Sequence, residues 1–228
     1  AVHDPAAASR LGLALWAAGE QDAAAPLLQA AVAGNPQDAV AMAALAALVA
    51  QTAEGDGLDE ALLLATQATQ LASDDFRTWA ALADVHRARR DFGQAGFYYG
   101  FALRLQPESP TVLKDAGACW LLARQPQQAL PLIERALVAA PQDAENYGNL
   151  AFARAQLGEA AAALEAARQA TTLSPADVRL RILHGDLAHR AGAREEALEA
   201  WARAAEIEPG MTISPQGGNI ALGPGDEE

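Results

Sequence analysis

The side chains that could carry chemistry are few. The chain has four histidines, at positions 3, 86, 184 and 189, one cysteine, Cys119, and one lysine, Lys114. His184 and His189 are five residues apart, whereas a helix brings together residues three or four apart, so the pair does not share a face as two metal ligands would. A lone cysteine makes no internal disulfide, and with scattered histidines it makes no structural zinc centre. Gly217-Gly218 is not followed by Lys-Ser/Thr and opens no helix, so it is not a phosphate loop. Ser, His and Asp are too sparse to suggest a nucleophilic triad. The reading is non-enzymatic, with no catalytic residue, no metal and no cofactor. What remains is the chemistry of binding, carried by arginines, by Lys114 and by a few large apolar groups.

Composition narrows the partner. The 228 residues carry a formal charge of −13, and alanine occupies 59 positions. Sixteen basic residues stand against 29 acidic ones, which argues against a general nucleic-acid binder, since that needs a basic face to neutralise phosphates. Half the residues are apolar, enough for a core. No apolar run reaches the roughly 18–20 residues a membrane-spanning helix needs. Because the sequence begins with Ala1, a leader upstream of it would not be visible.

The elements that position these groups are set by an internal period. Pro107, Pro141, Pro175 and Pro209 are spaced by 34, and Pro36 lies 71 before the first of them, twice 34 plus a surplus of three. Glu54-Gly55-Asp56-Gly57 is the natural place for that surplus. With proline at position 32 of each unit, position 20 reads Ala24, Ala61, Ala95, Ala129, Ala163 and Ala197, and position 27 reads Ala31, Ala68, Ala102, Ala136, Ala170 and Ala204. Position 8 is Gly or Ala, and position 24 carries Leu28, Ala65, Tyr99, Ile133, Ala167 and Trp201. In the helix–turn–helix unit that this pattern resembles, small residues at 8, 20 and 27 let two antiparallel helices approach. The proline ends the second helix, and Gly19, Gly158 and Gly192 at position 15 relieve the turn inside the unit.

This pattern resembles the tetratricopeptide repeat, matched six times over residues 5–209. It predicts an all-α, right-handed solenoid of six helix pairs, near 6–18 and 22–34, 39–53 and 58–71, 76–89 and 92–105, 110–123 and 126–139, 144–157 and 160–173, and 178–191 and 194–207. Residues 210–228 read as an irregular Gly/Pro-rich tail. In that tail Met211, Ile213, Ile220 and Leu222 are expected to cap the last repeat or to dock on another chain, which leaves a homo-oligomer open. Cys119, His86 and His184 fall at inward positions and are expected to be buried or half-buried.

The resemblance implies that positions 2, 5, 9, 12 and 13 of each first helix line a concave face. Early units then offer small apolar groups with Leu13 and Trp16. Later ones offer five basic residues, Arg77, Arg87, Lys114, Arg179 and Arg190, against three acidic, Asp84, Glu145 and Asp186, a net-positive strip. The expected partner is an extended protein segment, with Trp16, Leu121 and Phe152 as apolar contacts and Arg77, Arg87, Lys114 and Arg179 for acidic groups. A chaperone-type clamp for a peptide carboxylate is matched by Lys114, Asn149 and Arg179 but fails at Ala118 and Leu183.

A second resemblance covers 75–137. The runs Phe76-Arg77-Thr78-Trp79, Phe97-Tyr98-Tyr99-Gly100-Phe101 and Ala116-Gly117-Ala118-Cys119-Trp120 are similar to tetratricopeptide chaperones of type III secretion translocators. Those chaperones work in the bacterial cytosol, where they hold a hydrophobic segment before export. The resemblance implies a cytoplasmic chaperone or scaffold. The alternative is a periplasmic or outer-membrane assembly factor for a pilus or secretin complex, if a signal sequence precedes Ala1.

Overall fold

Aspartates open the first helix of five of the six repeats. Asp4, Asp38, Asp75, Asp143 and Asp177 each accept a backbone N–H from two or three residues on, at 2.9–3.3 Å. Such a cap satisfies a donor that the helix leaves orphaned. The second helices end where the proline ladder requires. Asn35, Gln106, Ala140, Ser174 and Glu208 each precede a proline and hold φ between −139° and −124° with ψ between 76° and 89°, extended backbone that a following proline favours. In the second repeat Ser73 replaces the proline, yet Ala72 keeps the same turn at φ −140°, ψ 71°.

A computed structural model describes residues 4–52 and 55–209. These form twelve helices: α1 (Pro5–Ala17), α2 (Gln21–Gly34), α3 (Ala39–Thr52), α4 (Asp56–Leu71), α5 (Phe76–Ala88), α6 (Phe92–Leu105), α7 (Pro110–Leu122), α8 (Pro126–Ala139), α9 (Ala144–Gln156), α10 (Ala160–Leu173), α11 (Val178–Arg190) and α12 (Arg194–Ile207). No strand occurs among the described residues. The expected boundaries hold within about two residues. The surplus of repeat two lengthens its second helix, which begins at Asp56 rather than 58. The tail expectation falls on residues 210–228, outside the described residues.

The chain divides into two compact units, Ala1–Ala123 and Arg124–Glu228. In the first, α1 packs on α2, α3 on α4 and α5 on α6, and α6 continues onto α7. In the second, α8 packs on α9, α9 on α10, α10 on α11 and α11 on α12. All twelve alanines of positions 20 and 27 are 0% exposed. These columns are where helix backbones meet, so a methyl group is all that fits. Position 24 fills the remaining space: Leu28, Ile133 and Ala167 are fully buried, Tyr99 and Trp201 nearly so. Trp201 lies so close to Gly185 at position 8 that a Cβ there would overlap its indole.

The turn inside each repeat uses the left-handed region. Gly19, Gly158 and Gly192 hold φ of 80–83°, and at the same position repeats three and four place Arg90 at φ 64° and Arg124 at φ 57°. The glycine sites have open space around the missing Cβ, so the backbone angle alone selects glycine there.

Candidate partner-binding groove

In the first unit the open faces of α1, α3, α5 and α7 line a groove of about 440 Å³. The repeat places these faces together because α3 and α5 each pack between the second helix before and the second helix after, and α3 also packs on α1 and α5. One end is apolar. Leu13 and Trp16 of α1, Val40 of α3 and Phe76 of α5 stand around Ala43, Ala47 and Ala80, whose small side chains leave the space open. Trp16 is half-buried and packs against the buried cluster that includes Leu28, Leu45 and Leu48, so its ring position is fixed by the core.

The other end is polar, with Arg77, Asp84 and Arg87 of α5, Tyr99 of α6, and Thr111 and Asp115 of α7. The Tyr99 hydroxyl donates to Asp84 Oδ1 at 2.5 Å, and Arg87 donates to the same oxygen at 3.2 Å. Burial pushes the Asp84 carboxyl above its ordinary range, against these two hydrogen bonds. Burial also drives the Tyr99 phenol far above its usual value, so it stays a donor. Cys119 is fully buried, and burial raises its thiol to about 12, which makes it an inert core group.

Three arginines of the positive strip expected from sequence, Arg77, Arg87 and Arg179, are paired with carboxylates in the structure. Arg77 wraps its own helix cap, with Nε at 2.9 and 3.1 Å from the two oxygens of Asp75 and Nη2 at 2.5 Å. That guanidinium holds Asp75 below the usual carboxylate range. Arg87 pairs with Asp84, one turn away, and Arg179 pairs with its cap Asp177 at 3.2 Å. The lining of the groove balances Arg77 and Arg87 against Asp84 and Asp115.

Of the residues expected at the site, Trp16, Arg77 and Arg87 come together around this groove. Lys114 lies half-buried on α7. Leu121 is 2% exposed, so its side chain belongs to the core; the exposed leucine at the end of α7 is its neighbour Leu122. Asn149 and Phe152, half-buried on α9, and Arg179, exposed on α11, belong to the second unit. Sequence reasoning missed Tyr99 and its bond to Asp84. The signal was there: in repeats three and six an aromatic donor at position 24 accompanies an aspartate at position 9.

His86 and His184 are half-buried as expected, with side-chain exposures of 15% and 13%. His184 Nε2 lies 2.7 Å from Glu196 Oε1, and Arg168 donates to both oxygens of Glu196, also at 2.7 Å. This ties α10, α11 and α12 together. No group of three metal-ligating side chains forms among the described residues.

A model of the tetratricopeptide repeat matches residues 2–39, 80–144 and 148–216. The chain belongs to the tetratricopeptide repeat family. It is therefore a repeat scaffold for protein–protein interaction, in a family that is typically non-enzymatic. Among solved structures, the tetratricopeptide protein YrrB, described as having an unusual peptide-binding site, is 23% identical over 80% of this chain and 93% of its own, with a TM-score of 0.65. PilF of Pseudomonas aeruginosa is 20% identical over 91% of this chain and 93% of its own, at TM-score 0.72. MamA of Desulfovibrio magneticus RS-1 is 23% identical over 73% of this chain and 95% of its own, at TM-score 0.65. At these identities the likeness is one of tetratricopeptide fold. No curated protein matches the sequence. No described helix is long and apolar enough to cross a membrane.

Proposed function

We propose that this protein is a non-enzymatic holder of an extended protein segment, seated in the groove of α1, α3, α5 and α7. The observation that carries the proposal is the groove's division into two ends. Trp16, Leu13, Val40 and Phe76 form a preset apolar wall over alanines, and a hydrogen-bonding set follows at Asp84, Arg87 and Thr111, with Asp84 held from behind by Tyr99. A wall held by the core costs little entropy when a ligand binds. An extended segment would bury an apolar side chain against Trp16 and meet polar groups further along. YrrB, with its peptide-binding site, supports the general mode.

The finer setting is a chaperone that holds an export substrate in the bacterial cytoplasm, supported by the resemblance of residues 75–137 to translocator chaperones. On that reading Phe152, Asn149 and Arg179 of the second unit add contacts to the same kind of segment. The test is site-specific photocrosslinking in the native host, with a crosslinking amino acid at Ala80 or Thr111 and a control at Glu60 on α4. Crosslinks from Ala80 and Thr111 to one contiguous peptide of a partner, absent from Glu60, support the groove. Equal or no crosslinking from the groove positions overturns it. Fractionation of the host with its full-length gene product tests the compartment.

A further inference from the structure

One repeat differs from the other five at positions 22, 23 and 26 of the second helix. Repeat three carries Phe97, Tyr98 and Phe101 there. The others carry Pro26, Leu27 and Ala30; Leu63, Leu64 and Gln67; Pro131, Leu132 and Arg135; Glu165, Ala166 and Gln169; Glu199, Ala200 and Arg203. The repeat fold thus forms without aromatics at these positions. In a chain that is only 5% aromatic, their concentration in one repeat needs another explanation.

In the structure these rings meet Trp79 and His86 of α5 along a groove of about 480 Å³ between α4, α5 and α6. Trp79 stacks on Phe101 at 4.7 Å and 19°, and Tyr98 lies nearly parallel to Trp79, at 6.2 Å and 18°. His86 extends the row, 5.0 Å from Tyr98 at 28°. Phe97 stands edge-on to Tyr98 at 69° and to Phe101 at 78°, and it is 52% exposed. The result is a row of near-parallel ring faces beside one upright ring. Trp79 is locked in place, because its Nε1 donates to the Ser73 carbonyl at 2.9 Å.

We infer that this aromatic groove is a second docking site, for an uncharged extended segment that presents proline rings. Charge and ring geometry together select that occupant. None of the ten lining residues is Asp, Glu, Lys or Arg, in a protein of formal charge −13. A carboxylate or ammonium laid along the groove would lose water with no opposite charge among the ten lining residues to meet it. Proline rings are flat enough to lie on aromatic faces, and a polyproline II segment arrives already extended, so it loses little entropy on docking. Its carbonyls are unpaired and need donors, which the Gln70 amide and the Tyr98 hydroxyl at the groove can supply. Arg104 sits over the Phe101 ring at 5.2 Å and closes the row at that edge with a cation.

The test uses the full chain, isotope-labelled for NMR, titrated with an end-blocked decaproline peptide and with an end-blocked Gly-Ser decapeptide. Decaproline should give saturable shifts centred on Trp79, Phe97, Tyr98 and Phe101, and the Gly-Ser peptide none. Phe97→Ala, at an exposed site, should keep the circular dichroism spectrum and melting temperature while weakening decaproline at least about tenfold. Tyr98→Phe keeps the ring and should weaken it a few-fold by loss of the hydroxyl. Absence of saturable shifts, or unchanged affinity in Phe97→Ala, overturns the proposal. So does sedimentation showing a wild-type dimer that Phe97→Ala dissociates, because the occupant is then a second copy of the chain.

Discussion

The Tyr99 hydroxyl reaches across its repeat to Asp84 at 2.5 Å, and three repeats later the Trp201 indole N–H reaches Asp186 at 3.1 Å from the same two positions. In each case a nearly buried aromatic of the second helix pins an aspartate of the first. Asp84 lies in the partner groove, so this rung fixes a polar group where a ligand would meet it.

Tyr99→Phe removes the donor and leaves the rest of the ring in place. The variant should lose about 1–3 kcal/mol of stability, the cost of leaving a desolvated acceptor short of a partner. Burial raises the Asp84 carboxyl, so the folded state favours its protonated form more than the unfolded state does. Ionised Asp84 therefore opposes folding at neutral pH, and this opposition fades as pH falls through the raised value. Without Tyr99 the opposition grows. The stability gap between wild type and variant should be widest near pH 7 and narrow in acid, as read by urea unfolding across pH. A gap independent of pH would refute the coupling.

Two glycines of the last repeat separate backbone from packing. Gly192 has φ 80° and open space at its missing Cβ, so Gly192→Ala should cost about 1 kcal/mol from backbone strain alone. Gly185→Ala should cost more, because the new methyl displaces Trp201 and with it the bond to Asp186. Arg124→Gly should fall within about 1 kcal/mol of wild type, since relief of the left-handed strain is offset by the extra freedom of glycine in the unfolded chain. Chemical denaturation of the three variants checks the order.

Glu196 gives an acid limb to stability. Hydrogen bonds from Arg168, reinforced by His184, lower its carboxyl from 4.5 to about 2. A carboxylate held low in the folded state stabilises it fully above the unfolded value. That contribution is lost as pH falls from about 4.5 towards 2. Glu196→Gln should therefore melt lower than wild type at pH 6, with the two curves converging by pH 2–3. Parallel curves down to pH 2 would show that the Arg168–Glu196–His184 link adds nothing.

Cys119 reports on opening. It is fully buried with its thiol raised to about 12, so Ellman's reagent at pH 8 should modify it only as fast as the first unit unfolds. Immediate modification of the native protein would contradict the burial.

The fold was legible because its determinants are local and repeated. The prolines before the turns, the cap aspartates and the alanine columns specify the same local events every 34 residues, with breaks at the surplus and Ser73 in repeat two and at Ser109, which stands in place of the cap aspartate in repeat four. The site was legible only in part. Position numbers placed Trp16, Arg77 and Arg87 on the groove but did not name the carboxylates that pair with the two arginines. The pairing of Arg77 with Asp75 and of Arg179 with Asp177 depends on a cap and a side chain two residues on. A rule that considers only the inner face of a helix leaves out that cap. Leu121 shows the same limit: near the end of α7 a single residue of rotation separates the buried Leu121 from the exposed Leu122.

The pairing changes what salt should do to partner binding. A strip of unopposed arginines would draw an acidic segment through long-range attraction, and affinity would drop steeply with ionic strength. Here Arg77 and Arg87 are already held by Asp75 and Asp84. Their long-range field is largely cancelled, and the apolar wall at Trp16 and Val40 is insensitive to salt. Once the photocrosslinked partner segment is known, its affinity should change less than about threefold between 50 and 300 mM NaCl. Trp16→Phe, which trims the wall but keeps a ring in the core, should weaken binding more than Arg77→Gln does. A steep salt dependence together with a large Arg77→Gln effect would restore the arginine strip as the recognition element and demote the apolar wall.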